Sequence, residues 1–173
     1  MSDNDSDWER RVAECWAKSA ELPTAALVET IDGLAGERPA HDAAALFERA
    51  SARDTAGLEA EAEPLYRAAL SSGTLDPLRR ARATIQLAST LRLLGRLDES
   101  EQLLRAELIE TAAAGDAHPL RDETRAFLAL TLLAKGEATE AAALALTTLA
   151  PHLSRYTRAV RSNAQELSTR LKA

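Results

Sequence analysis

The residues best equipped for chemistry are few: three histidines, His41, His118 and His152, and a single cysteine, Cys15. A zinc site gathers four Cys, His or carboxylate ligands, usually with two of them a few residues apart. Each histidine falls at a helix boundary, far from the others and with no Cys or His at ligand spacing, so no metal site is expected. Cys15 has no second cysteine to oxidise with and lies among charged and aromatic neighbours in a predicted helix, where packing is the expected role.

Acid–base catalysis would need carboxylates held together in a desolvated pocket. Glu59, Glu61 and Glu63 alternate, which spreads them round a helix among alanines and reads as a solvated face. Gly33, Gly36, Gly73 and Gly115 sit at or near predicted helix ends, and the chain has no phosphate loop, nucleophile elbow or paired zinc-ligand spacing. No catalytic residue, no cofactor and no enzymatic activity are expected.

Charge narrows the partners. The chain has 21 basic and 27 acidic residues, a net −6, with both signs mixed and no basic block. Nucleic acid and anionic membranes are therefore not expected as partners. The segment from Met1 to Asp7 is acidic and polar, and no stretch approaches the ~18 uninterrupted apolar residues of a membrane span, so a soluble, cytoplasmic protein is expected.

The elements that must position these side chains are helices. Ala, Leu, Glu and Arg dominate, aromatics are 3%, and apolar residues recur at steps of three and four, which predicts about nine helices and an all-α fold. Trp8, Val12, Trp16 and Ala20 form one stripe. Leu27, Ile31 and Leu34 form a second, and with Pro23 between them the two make an N-terminal hairpin. Trp8, Trp16 and Tyr156 are expected in the core rather than at a binding site.

From Asp42 the breaks become regular. Helix pairs are split at Gly57, Gly95 and Gly136, 38 and 41 residues apart, which signals an internal repeat. Seven residues before each glycine stands Ala50, Ala88 or Ala129, and five after it Ala62, Ser100 or Ala141, small enough for close helix approach. Thirteen after come Leu70, Leu108 and Leu149, each expected as an apolar anchor. Asp76-Pro77 predicts a helix start, Asp98 with Glu101 a capping box, and Pro64 a mild bend. The last segment carries Leu153, Val160, Ala164, Leu167 and Leu171 on one face, as a terminal cap needs, with Arg155, Arg158, Arg161 and Arg170 elsewhere.

These columns resemble the tetratricopeptide repeat, whose signature is small and large residues around a glycine between two antiparallel helices. The clearest string is Gln86-Leu87-Ala88-Ser89-Thr90-Leu91-Arg92-Leu93-Leu94-Gly95, followed by Arg96-Leu97-Asp98-Glu99-Ser100. Gly57-Leu58-Glu59-Ala60-Glu61-Ala62 and Gly136-Glu137-Ala138-Thr139-Glu140-Ala141 repeat its second half. Arg49 and Arg125 depart from the pattern where apolar residues are usual. The long repeat period is similar to that of a small bacterial three-repeat subgroup called group five, which implies little about biochemical role.

The resemblance implies a right-handed α-solenoid of antiparallel helix pairs. Residues 1–40 would form the hairpin, 41–150 three repeats at about 42–75, 77–115 and 119–150, and 151–173 the capping helix, all in one structural domain. In the family the first helix of each pair lines a concave groove. Carried onto this sequence, that implies Phe47, Ser51 and Asp54, then Arg82, Ile85, Ser89 and Arg92, then Glu123, Leu130 and Leu133. Some relatives clamp a C-terminal carboxylate with lysine and asparagine, but Phe47 and Ser51 occupy those places, so chaperone-tail binding is not expected. The implied function is a non-catalytic scaffold binding a partner peptide or helix. The alternative is a homo-oligomer, such as a homodimer, or an accessory subunit, with the groove filled by a second subunit or by the chain's own N-terminal hairpin or final helix.

Overall fold

The computed structural model describes residues 3–113 and 120–170; His118, Gly115 and Leu171 lie outside them. Nine α-helices and no strand occur among the described residues. They are α1 (Asp3–Ala17), α2 (Thr24–Ala35), α3 (Ala43–Thr55), α4 (Glu59–Ser71), α5 (Pro77–Leu93), α6 (Leu97–Ala113), α7 (Arg121–Ala134), α8 (Ala138–Leu149) and α9 (Thr157–Arg170). The fold class is all-α, with consecutive helices packed on one another: α1, α2, α3 and α4 in turn, and α6, α7, α8 and α9 in turn. The chain divides into two compact units, Met1–Thr90 and Leu91–Ala173.

The three repeat glycines make one joint three times. Gly57, Gly95 and Gly136 have φ of +72°, +77° and +86°, the left-handed region that glycine enters without penalty. Each N–H bonds the carbonyl three residues back, and the next N–H reaches five back: Leu58 to Arg53, Arg96 to Leu91 and Glu137 to Leu132, at 2.8–2.9 Å. This doubly bonded C-terminus satisfies otherwise orphaned carbonyls and reverses the chain within about three residues, so the next helix must run antiparallel.

The small-residue column lies where it was expected. Ala50, Ala62, Ala88, Ser100, Ala129 and Ala141 are all buried, and the Ser100 and Thr131 hydroxyls bond at 2.9 Å between α6 and α7. The large-residue column divides, because Leu70 and Leu108 are half-buried whereas Leu149 is 48% exposed.

In the first unit, Trp8 and Val12 pack with Ala35 and Ala45, and Cys15 with Leu27, Ile31 and Ala52, so the N-terminal stripe closes over both α2 and α3. The Trp8 indole donates to the Leu34 carbonyl at 2.8 Å, and the Arg38 guanidinium lies 4.3 Å over its ring. Asp42 caps α3 by accepting from the Ala45 N–H, and Asp76 caps α5 by accepting from the Arg79 N–H, each at 2.9 Å. Arg49 finds a use the repeat pattern does not supply, since it and Arg53 grip Asp32 of α2. α4 runs through Pro64 to Ser71.

Two further expectations fail in the second unit. α6 begins at Leu97, so Asp98 lies inside its first turn and forms no capping box; Asp98 and Glu101 instead hold the Lys135 ammonium at 2.7 and 2.5 Å. Tyr156 is not in the core. It turns the corner before α9 at φ +65° and is 77% exposed, leaving Ala164, with half-buried Val160 and Leu167, to anchor α9.

Candidate interaction surfaces

The ten residues implied by the repeat register fall in both units and meet different surroundings. In the first, α3 carries Phe47, Ser51 and Asp54, and α5 carries Arg82, Ile85 and Ser89. Phe47 is 0% exposed. It sits tilted against the Tyr66 ring at 6.2 Å, with the guanidiniums of Arg82 and Arg79 at 5.1 and 5.8 Å from its centroid. Ser51 and Ile85 are buried, Asp54 and Ser89 half-buried, and Arg82 exposed.

Polar contacts fill this face from within. Ser51 donates to Gln86 at 3.4 Å, Thr90 donates to Asp54 at 3.1 Å, and the Tyr66 hydroxyl lies 3.4 Å from Ser51 and 3.5 Å from Asp54. Burial pushes the Asp54 carboxyl and the Tyr66 phenol above their ordinary values. Beside them is a cluster that the repeat pattern does not mark. Glu48, nearly fully buried, accepts from the Trp16 indole at 2.7 Å and pairs with Arg79 at 3.1 Å; Arg79 also pairs with Glu9 at 2.6 Å. Burial raises the Glu48 carboxyl against the pull of Trp16 and Arg79. Trp16 and Glu9 of α1 thus join Glu48 of α3 and Arg79 of α5 in one cluster that ties the three helices together.

The second unit differs in kind. Arg92 is half-buried near the end of α5, and Glu123 is exposed at the start of α7. Leu130 and Leu133 are 46% and 57% exposed, large apolar side chains open to water. They line a groove of about 620 Å³ between α7 and α8, with Ala126 and Ala129 beside them and Ala141, Ala145 and Leu149 across from them. At one end the His152 imidazole lies 3.0 Å from Asp122, which Arg125 also approaches at 3.3 Å. The α8 side was not anticipated, although a signal for it exists: Ala138, Ala141, Ala142, Ala145 and Leu149 recur at three and four on one face.

Among the described residues no three of His, Cys, Asp and Glu converge to hold a metal ion. No helix among them is long and apolar enough to cross a membrane.

Comparison with known proteins agrees with the repeat geometry. The crystal structure of the nearly identical TPR-like repeats of a Podosopora anserina protein assigned as a kinesin light chain superposes with a TM-score of 0.71. It is 19% identical, with 99% of this chain and 96% of that chain covered. A single-substitution variant of it gives the same values. No curated protein matches the chain. A family model, the Tetratrico peptide repeat, matches residues 43–167, which contain all three glycine joints. The chain belongs to the tetratricopeptide repeat family.

Proposed function

We propose that this protein is a non-catalytic interaction scaffold of the cytoplasm, and that the α7–α8 groove is where it takes a helix or peptide of a partner protein. The observation that carries this reading is the apolar wall of Leu130 and Leu133, 46% and 57% exposed among the described residues. Six and three residues before Gly57 stand Ser51 and Asp54, which bond Gln86 and Thr90 of α5, the first helix of the next repeat. Six and three before Gly136 stand Leu130 and Leu133, close to half or more exposed. The same repeat positions that are covered by a following helix in the first unit are open and apolar in the second. An amphipathic segment laid there would remove apolar surface from water at about 25 cal/mol per Å². The chemistry of the groove supports this reading: it is lined by alanine, leucine, one Asp–His pair and Thr148, whose hydroxyl donates to the Leu144 carbonyl at 2.9 Å, with no metal ligand set among them.

The test is affinity capture of partners with the wild-type chain and the Leu133→Asp variant, alongside light scattering on each. A partner held by the wild type and lost in a folded variant supports the scaffold. A stable dimer that dissociates in the variant would mean that a second copy fills the groove, making the chain a homo-oligomer.

A further inference from the structure

The arginines of this chain are almost all engaged. Arg10, Arg11, Arg38, Arg49, Arg53, Arg67, Arg79, Arg96, Arg105 and Arg125 pair with carboxylates, Arg82 stacks on Phe47, and Arg80, Arg92 and Arg121 have partners of their own. Three others with described side chains, Arg155, Arg158 and Arg161, have no partner among the described residues, and all three are exposed. They stand together at the start of α9. Arg158 and Arg161 are helical neighbours at i, i+3, both exposed, on the flank of the Val160, Ala164 and Leu167 stripe that packs inward. In a chain of net charge −6, a cluster of unanswered cations is a local inversion of sign.

Its place matters more than its size. His152 lines one end of the α7–α8 groove, and Arg155 follows three residues later. Three residues span at most about 11 Å even when fully extended, somewhat more than the ~8 Å Debye length at physiological salt. Of the carboxylates at that end, Asp122 is paired with Arg125 and lies within hydrogen-bond distance of His152, and Glu123, one residue on, is exposed. The exposed Tyr156 ring lies between Arg155 and Arg158 in sequence. The groove therefore offers apolar surface along its length and uncompensated positive charge just past one end.

We infer that the partner of this groove is an acidic amphipathic segment of another protein, with its apolar side chains against Leu130, Leu133 and Leu149 and its carboxylates at the end nearest Arg155, Arg158 and Arg161. This rests on the groove reading above and adds the chemistry of what fills it. A bidentate guanidinium–carboxylate pair is the strongest exposed contact such a site can make.

The probe is a random 16-residue peptide library displayed on phage, selected on the full chain and counter-selected on Leu133→Asp. Enriched peptides should carry an apolar stripe at helical spacing with Asp or Glu clustered at one end. Their affinity, read by fluorescence anisotropy, should fall tenfold or more in the Arg155→Gln/Arg158→Gln/Arg161→Gln triple variant, and should weaken as salt rises from 50 to 300 mM. These exposed substitutions leave the fold intact, which circular dichroism verifies. Apolar peptides without acidic ends, binding the triple variant as tightly as wild type, would overturn the inference while leaving the groove reading standing. Basic peptides would do the same. No enrichment over Leu133→Asp would remove both. Binding of the wild type, but not the triple variant, to vesicles of three parts anionic to seven parts neutral lipid, with no peptide enriched, would assign the arginines to a membrane surface and overturn the inference. A dimer dissociated by the triple variant would assign them to a second copy of the chain and also overturn it.

Discussion

Leu132 and Leu133 are neighbours on α7 with opposite fates, and truncating each in turn separates packing from docking. Leu132 is 0% exposed. Replacing it with alanine removes the transfer free energy of its buried methyl groups and leaves a cavity, a loss of about 2–5 kcal/mol. Leu133 already has over half its surface in water, and alanine is the better helix former by a few tenths of a kcal/mol. Leu133→Ala should therefore change the stability of the isolated chain by no more than about 0.5 kcal/mol, as exposed substitutions usually do. The same truncation should weaken a partner by roughly tenfold, the ~1.4 kcal/mol expected when the remaining exposed half of a leucine is buried on binding. Urea unfolding followed by circular dichroism at 222 nm is the assay for stability. Tryptophan fluorescence would not serve, because Trp8 and Trp16 both lie in α1 and report only on the first unit. A loss for Leu133→Ala equal to that for Leu132→Ala would mean that the protein itself covers this face, and the docking argument would fall.

Other predictions follow from the joints and the ion pairs. Gly136→Ala should cost about 1–2 kcal/mol through its left-handed backbone alone, since an added Cβ meets no atom within 4 Å; a neutral result in thermal unfolding would contradict the joint. Arg79→Met strands Glu48 with only the Trp16 indole and should lose roughly 3 kcal/mol, most of it restored by adding Glu48→Gln; an additive double variant would show that the two do not act as a pair. Arg53, with Arg49 beside it, holds the Asp32 carboxyl below the ordinary carboxylate range. A depressed folded value gives stability that is present above the unfolded pKa and lost as pH falls through the folded one. Acid unfolding below about pH 4 should therefore be shallower in Asp32→Asn than in wild type, and identical slopes would refute the assignment. Phe47→Asp places a charge at a fully buried site and should unfold the first unit, seen as loss of cooperative melting.

The repeat joints were legible because their cause is local. A glycine at positive φ, a small residue seven before it and another five after fix a helix–turn–helix whatever surrounds them, and Gly57, Gly95 and Gly136 show that joint in the sequence itself. Burial of the candidate surface was not legible, because the same register positions can be covered or open. Phe47 and Leu130 both occupy positions the resemblance assigns to a groove, yet Tyr66 of α4 and the arginines of α5 lie against the first, which is fully buried, while the second is 46% exposed. The capping box at Asp98 failed for a related reason: a lysine 37 residues away in sequence, Lys135, outcompeted the local backbone for both carboxylates. Tyr156 was misplaced because aromatic scarcity argues for burial only when the backbone can turn the ring inward, and here it sits at a left-handed corner.

The open α7–α8 wall also bears on how much of this protein a cell can keep. A groove edged by half-exposed leucines is the kind of surface that quality-control chaperones and proteases recognise on an orphan subunit, and it stays on display until something occupies it. With a partner in the groove as proposed, supply of this protein would follow supply of that partner: copies made in excess would be short-lived, and the stoichiometry of the pair would be set by turnover rather than by matched synthesis.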